Sequence, residues 1–249
     1  MGEETSSKSQ PQVAAVVLQV PSHPVAWTYG IIAANGLAFL GSVLLGRDLV
    51  ILLGAKINQL IVSGEWWRLL TAIFLHADFL HIAFNSYALY TFGTRLESIY
   101  GQGRFLALYL LSGVAGSALS FALSPRAAVG ASGAIFGVIG GLATYYYRYR
   151  KQLSAGSGPL ANVVIVMLYN LFYGFIVPGI DNWGHLGGLL AGTVLGWFFI
   201  PEYQVVFFPE SLSPVLVDAG RPTRRWTGVA LVGIGIAAAC LGGMLRWRG

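Results

Sequence analysis

The chain alternates between long apolar stretches and short segments that carry prolines, glycines and charges. Seven of the apolar stretches are long enough to cross a bilayer as helices, which takes about 20 residues each. Because their apolar residues form continuous blocks instead of alternating with polar ones, the pattern predicts helices and disfavours a membrane β-barrel. The approximate bounds of the seven predicted spans are 24–45, 79–99, 104–123, 132–147, 159–177, 183–200 and 226–245.

The segment between the first two spans is irregular. Residues 46–78 are apolar in pieces but are interrupted by charged side chains. This pattern indicates a loop that lies at the membrane surface or inserts partly, with Trp66 and Trp67 at headgroup depth. The predicted organisation is a short N-terminal tail (1–23), a six-span core (24–200), a polar linker (201–225) and a seventh transmembrane helix (226–249).

The composition supports a membrane protein. Hydrophobic residues make up 55% of the chain and charged residues only 10%, whereas soluble domains carry about 25% charged residues. The 33 glycines suit spanning helices, because small residues let helix backbones approach closely. We therefore expect one all-α polytopic membrane domain, solvated mainly by lipid.

The net charge of +5 does not indicate a nucleic-acid partner. The basic residues stand singly at the ends of apolar stretches, where they act as topology signals, and a binding patch would cluster them. Their mild excess in alternate loops predicts an N-terminus on the inner side. The single cysteine, Cys240, excludes an intrachain disulfide and a cysteine-based metal site. No organelle transit signal is evident, so we expect a bacterial inner membrane.

Four side chains inside the predicted spans are too polar for lipid. His81 and Asn85 lie four residues apart on one face of the second span, Ser132 begins the fourth, and His185 lies near the start of the sixth. Polar groups in a bilayer are costly, so each is a functional candidate. In the predicted topology all four lie toward the outer side, where they can share one pocket.

These residue types indicate acyl-transfer chemistry. A serine hydroxyl becomes a nucleophile when a nearby base takes its proton, and His185 is the candidate base for Ser132. A helix that starts at Ser132 offers unpaired N–H groups and its positive dipole end to an oxyanion. Asn85 and His81 are candidate side-chain donors to the same oxyanion. Since no carboxylate is evidently placed to orient His185, we expect a serine–histidine dyad.

Neighbouring residues have predicted supporting roles. Gly130 and Gly133 allow a tight backbone turn and the close approach of a peptide. Phe136 lies one helical turn after Ser132, on the same face, where it can pack on the His185 ring. Further glycines recur at a spacing that brings the fourth and sixth spans together: Gly137, Gly141, Gly188, Gly192 and Gly196.

Four motifs occur along the chain in the order Trp67-Arg68, His81-Ile82-Ala83-Phe84-Asn85, Gly130-Ala131-Ser132-Gly133 and His185-Leu186-Gly187-Gly188. In type and order they resemble the motifs of the rhomboid family of intramembrane serine proteases, over roughly residues 24–200. The resemblance implies a six-helix rhomboid-like bundle with its active site toward the outer face. The seventh span resembles the family's form with an added C-terminal transmembrane helix.

The resemblance also implies roles for individual residues. Ser132 would be the nucleophile and His185 the general base. The position of Phe136 is often tyrosine in relatives, so the ring is kept and a hydroxyl is lost. The remaining implied roles are an oxyanion hole of His81, Asn85 and the Ser132 N–H, a structural arginine at Arg68, a structural glutamate at Glu97, and supporting glycines Gly130, Gly133, Gly188 and Gly192.

The expected function is a serine endopeptidase that needs no cofactor or metal. Its expected partners are the lipid bilayer and transmembrane protein substrates, cleaved near their outer ends; the oligomeric state stays open. One alternative is an inert relative that binds transmembrane clients, whose signature would be loss of Ser132 or His185. A second is a transporter with a histidine proton path, for which no convincing internal repeat is present. A metal site at His81 and His185 would lack the usual further ligands.

Two further interpretations concern residues beside the site. Arg68 and Glu97 are alternatively ordinary charges at the membrane interface. His76 is interpreted as a loop or interface residue.

Overall fold

The structure, a computed structural model, describes residues 20–153, 156–207 and 214–248, so residues 1–19 of the predicted N-terminal tail lie outside it. Of the described residues, 74% are helical, and a helix occupies the core of each predicted span. The prediction of an all-α polytopic membrane fold is confirmed. The main helices are α1 (Trp27–Leu45), α2 (Arg47–Gly54), α3 (Asn58–Val62), α4 (Arg68–Thr71), α5 (Phe79–Ala88), α6 (Thr94–Tyr100), α7 (Gln102–Leu123), α8 (Ser132–Tyr149), α9 (Gly158–Ile176), α10 (Asn182–Phe199) and α11 (Pro222–Trp247).

By length and hydropathy alone, four of the described helices can cross a membrane: α1, α7, α9 and α11. A fifth candidate is the pair Arg68–Phe74 and Phe79–Tyr100, whose two parts meet at an angle of 90°. A π-helical turn, Leu89–Gly93, joins α5 to α6 within it. Helices α8 and α10 are not in this set, because glycines and polar side chains interrupt their apolar sequence. Both are largely buried within the bundle, so they need less apolar surface than a lipid-facing helix.

Helices α7, α8 and α10 form the centre of the bundle, and glycines set their separation. A Cβ atom at Gly188 would collide with the carbonyl of Gly133, and one at Gly192 would collide with the carbonyl of Gly137. Such contacts exclude any larger residue at these positions. The predicted glycine packing between the fourth and sixth spans is therefore present. Large side chains fill the layers around it, among them Leu108, Tyr109, Val138, Leu142 and Leu195.

The carboxylate of Glu97 caps the start of α1. It is fully buried and accepts hydrogen bonds from the backbone N–H groups of Ala26, Trp27 and Thr28 at 2.9, 2.8 and 2.8 Å. The first N–H groups of a helix have no partners within the helix, and no side chain of the cap residue itself serves α1. Glu97 therefore joins the second predicted span to the first instead of lying exposed at the interface.

The first loop, residues 46–78, consists of short helices organised around a buried arginine. The Arg68 guanidinium donates to the carbonyls of Leu52 and Ala55 at 2.7 and 2.9 Å, and its Nε donates to Glu65 at 2.7 Å. The planar guanidinium thus joins α2, the turn after it and α4. Hydropathy alone indicated an irregular segment, and these contacts explain how such a segment keeps one conformation.

The segment predicted as a polar linker, 201–225, contains a β-hairpin. Strand β1 (Tyr203–Val206) pairs antiparallel with β2 (Val215–Asp218), and α11 begins at Pro222, inside the predicted linker. The Asp218 carboxylate forms ion pairs with Arg104 of α7 and Arg225 of α11. These pairs fasten the hairpin to the start of the third and seventh predicted spans.

Candidate active site

Ser132 and His185 lie in direct hydrogen-bond contact. The serine is the first residue of α8 and the histidine lies in the first turn of α10, and the His185 Nε2 atom is 2.9 Å from the Ser132 Oγ atom. His185 is buried. When Nε2 carries no proton, the serine hydroxyl donates to it, which is the arrangement that general-base catalysis requires.

The backbone around both helix starts explains why these two residues meet. The Asp181 carboxylate caps α10 by accepting from the Gly184 N–H at 3.1 Å, so the helix begins one turn before His185. A Cβ atom at Gly133 would lie 3.1 Å from the Gly184 carbonyl oxygen. The backbones of α8 and α10 therefore touch one residue away from each member of the pair, which brings Ser132 and His185 within reach.

The His185 ring is oriented by an aromatic neighbour. Phe136 stacks on it with a centroid separation of 4.4 Å and an interplanar angle of 17°. Among the described residues, the other ring nitrogen, Nδ1, has no hydrogen-bond partner. The histidine is thus held by its contact with Ser132 and by stacking on Phe136.

The loop before Ser132 makes a sharp turn at Gly130. Its φ of +128° lies in a region that favours glycine, and its N–H donates to the Ala72 carbonyl at 2.9 Å. A Cβ atom at this position would lie 2.6 Å from the His81 Nε2 atom. The glycine therefore leaves space for the His81 imidazole, which lies against the backbone that leads into Ser132.

Asn85 is buried on the same helix as His81. Its side-chain Nδ2 donates to the His81 carbonyl at 3.0 Å. An amide nitrogen carries two hydrogens, so this bond leaves one of them free to donate elsewhere.

His76 lies next to His81, although nothing in the sequence indicated that it belongs to the site. It is almost fully buried, and its ring packs edge-on against that of His81 with centroids 5.1 Å apart. It lies outside the helical periodicity, between the 3₁₀ turn Ala72–Phe74 and α5, so no pattern distinguished it from a loop histidine. The structure makes it part of the wall behind His81.

A small cavity of about 30 Å³ lies beside the pair. That volume is enough for a water molecule, and several lining groups are polar. Its lining includes Gly130, Ser132, Gly133, Asp181 and His185. In the ranges that the structure covers, no group of three or more His, Cys, Asp or Glu side chains is placed to hold a metal ion.

Comparison with known proteins identifies relatives over this part of the chain. A family model described as the rhomboid domain matches residues 63–202. Rhomboid protease GluP of Bacillus subtilis is 48% identical over 145 residues, which are 58% of this chain and 28% of that protein. The putative rhomboid protease YdcA of the same organism is 35% identical over 165 residues, 66% of this chain and 80% of the relative.

A plant protein is also similar to this chain over part of its length. RHOMBOID-like protein 5 of Arabidopsis thaliana is 39% identical over 171 residues, 65% of this chain and 53% of that protein. The chain thus spans between 28% and 53% of the first three curated relatives that it matches. Residues 63–202 include Ser132, His185, His81 and Asn85, together with Arg68 and Glu97.

Proposed function

This chain belongs to the rhomboid family, and on that premise we propose that it is an intramembrane serine endopeptidase with a Ser132–His185 dyad. It hydrolyses peptide bonds in or near the transmembrane segments of membrane proteins, within a bacterial inner membrane. The observation that carries the proposal is the 2.9 Å contact between His185 Nε2 and Ser132 Oγ, because proton transfer requires this distance.

The reaction has an acylation and a deacylation step. As the Ser132 oxygen attacks the scissile carbonyl carbon, His185 takes the hydroxyl proton and then delivers it to the leaving amine. A water molecule next attacks the acyl-enzyme, His185 takes its proton, and the Ser132 oxygen leaves with that proton. The cavity beside the pair is where we expect this water to reside.

The negative oxygen of each tetrahedral intermediate needs fixed donors. Ser132 is the first residue of α8, so its N–H has no acceptor within the helix and lies at the positive end of the helix dipole. We assign the His81 imidazole and the free amide hydrogen of Asn85 to the same oxyanion. The support for this assignment is the contact of His81 with the turn at Gly130 and the shared helix of His81 and Asn85.

The substrate is a transmembrane protein whose helix is unwound near its outer end. A helical backbone has its carbonyls and N–H groups engaged in hydrogen bonds, so an attackable bond must lie in a locally extended segment. Helix-breaking residues such as glycine and proline lower the cost of that unwinding. We therefore expect cleavage sites next to such residues.

Labelling with a fluorophosphonate probe tests the proposal, because the probe reacts with an activated serine. The purified wild-type protein in detergent should be labelled and should cleave a model transmembrane substrate. Ser132→Ala should lose both properties, and His185→Ala should lose nearly all labelling. Ser98→Ala, a serine on α6 whose hydroxyl bonds only to its own helix, is the matched control. Cleavage by purified Ser132→Ala would refute the proposal; absence of labelling in the wild type would favour an inert relative or a transporter.

A further inference from the structure

Lys56 of the first loop is fully buried although it carries an ammonium group. Lysine is almost never fully buried unless it is paired, because a desolvated charge is costly. Its Nζ atom donates to the carbonyl of Arg126 at 2.5 Å, to the side-chain oxygen of Asn58 at 3.1 Å and to the carbonyl of Ser124 at 3.4 Å. Two of these three acceptors belong to the segment that leads into Ser132.

The backbone reinforces the same junction. Lys56 and Ala128 exchange two hydrogen bonds, of 3.0 and 3.1 Å, in an isolated antiparallel bridge. The Asn58 amide donates to the Ser124 carbonyl at 2.8 Å, and the Gly130 N–H donates to the first loop at Ala72. Residues 124–130 are therefore attached to the first loop at every second residue.

A carboxylate on the other side of the site also acts on the charge of Lys56. Asp181, which caps α10 and lines the cavity with His185, interacts electrostatically with the ammonium group. Burial lowers the pKa of Lys56 to about 8, and the attraction of Asp181 partly opposes that change. The other groups that face the ammonium are the carbonyls of residues 124 and 126 and the amide of Asn58.

We propose that Lys56 is a positioning residue that clamps segment 124–130 to the first loop and thereby fixes the turn that places Ser132 against His185. The inference rests on the proposed protease function for its catalytic consequence, and on the hydrogen bonds alone for the clamp. The hydrogen bonds of the Lys56 ammonium go to neither member of the pair, so it acts through the backbone. Its ammonium is the group that holds the Ser124 and Arg126 carbonyls together.

A neutral side chain of similar length distinguishes the effect of the ammonium hydrogen bonds from the effect of filling the space. Lys56→Met keeps most of the side-chain volume but removes every side-chain donor, which leaves the Arg126 carbonyl without this partner. Displacement of a reacting group by about 1 Å costs about 100-fold in rate. We therefore expect a 10- to 100-fold lower kcat, with little change in KM. Lys151→Met, which removes an exposed lysine after α8, is the matched control.

Hydrogen–deuterium exchange on the full chain in detergent tests the clamp without relying on catalysis. Lys56→Met should accelerate exchange of the Ala128 and Gly130 amides, while Lys151→Met leaves them as in the wild type. Unchanged protection of these amides in Lys56→Met would overturn the clamp. A wild-type protein without proteolytic activity would instead refute the proposed function, and the exchange result would still decide the clamp.

Steady-state kinetics on the same proteins tests the catalytic consequence. In the wild type, kcat should fall as pH rises through about 8, because the ammonium loses a proton and one donor. In Lys56→Met, kcat should be low and nearly constant over that range. A folded Lys56→Met protein with wild-type kcat and pH profile would overturn the positioning role.

Asn58→Ala is the second variant, used if Lys56→Met does not fold. It removes one attachment between the first loop and residues 124–130 and keeps the lysine. Faster exchange at residues 124–130 together with a lower kcat supports the proposal, and wild-type values of both refute it.

Discussion

The ring of Phe136 lies parallel to the imidazole of His185, with centroids 4.4 Å apart and an interplanar angle of 17°. Phe136 is one turn beyond Ser132 on α8, so the helix that begins with the proposed nucleophile also carries the ring that stacks on the proposed base. Because Nδ1 of His185 has no hydrogen-bond partner in the described ranges, stacking is the contact that we expect to orient this ring in the proposed dyad.

This relationship predicts that Phe136→Leu lowers kcat, because leucine fills much of the space but does not stack. Aromatic pairs contribute about 0.5–1.5 kcal/mol beyond burial, which corresponds to about a 2- to 13-fold loss. Phe136→Tyr keeps the ring and should remain near wild type. Cleavage rates of a model transmembrane substrate check both variants. Equal rates for the leucine and tyrosine variants would contradict a role for stacking.

The contact between α8 and α10 predicts that Gly188→Ala separates the two helices. The added Cβ would collide with the Gly133 carbonyl, and a packed interface moves as a unit instead of yielding locally. We expect loss of most proteolytic activity and a lower unfolding temperature. Gly233→Ala in α11, where an added Cβ meets nothing within 4 Å, is the control and should leave both quantities unchanged. Wild-type labelling of Gly188→Ala by fluorophosphonate would show that the contact does not set the position of Ser132.

Much of this site was predictable because membrane burial makes polar residues conspicuous. Ser132, His185, His81 and Asn85 stand out in sequence since lipid offers no partner for them, and their positions in the spans indicated one shared pocket. The structure brings Ser132 and His185 into contact and stacks Phe136 as predicted. The oxyanion roles of His81 and Asn85 stay predictions.

Other features depend on tertiary partners that a linear pattern does not contain. In the sequence, Lys56 is only a charged residue that interrupts an apolar loop. Its burial is explained by acceptors in segment 124–128, which the structure brings next to it. The hairpin of β1 and β2 was predicted as a plain linker, because strands of four residues give too little alternation to be recognised. The partners of Glu97 lie about 70 residues earlier in the chain, so its cap on α1 had no local signature.

That cap predicts that Glu97→Ala destabilises the protein. The substitution leaves the N–H groups of Ala26, Trp27 and Thr28 without their acceptor. The cost is about 1–3 kcal/mol for a buried unpaired group such as the Thr28 N–H, and less for the other two, which are partly buried. Glu97→Gln keeps one acceptor oxygen and should lose less. Thermal unfolding in detergent should rank the wild type above Gln and Gln above Ala. Ser98→Ala, the adjacent residue on α6, serves as control, and an unfolding temperature of Glu97→Ala equal to that control would contradict the cap.

The ion pairs of Asp218 predict an acid-sensitive attachment of the hairpin. Burial alone would raise the pKa of this carboxyl, but hydrogen bonds from Arg104 and from the N–H groups of Glu202 and Gly220 outweigh it and hold the pKa below the ordinary 3.8. A carboxyl whose pKa is lower in the folded than in the unfolded protein stabilises the folded state. This contribution is complete above the unfolded pKa of 3.8 and is lost as pH falls through the lowered pKa of the folded state.

Asp218→Asn should therefore lower the unfolding temperature at pH 7 but not at strongly acidic pH. A partly exposed ion pair contributes about 1 kcal/mol or less, which corresponds to about 2–4 °C in Tm for a chain of this size. Scanning calorimetry of wild type and variant, from pH 7 down to a pH below the lowered pKa, measures the difference, which should vanish there because the wild-type carboxyl is then neutral too. Asp48→Asn, at an exposed position of α2, is the matched control. A difference between Asp218→Asn and wild type that persists unchanged to acidic pH would mean that the aspartate acts by its shape and not by its charge.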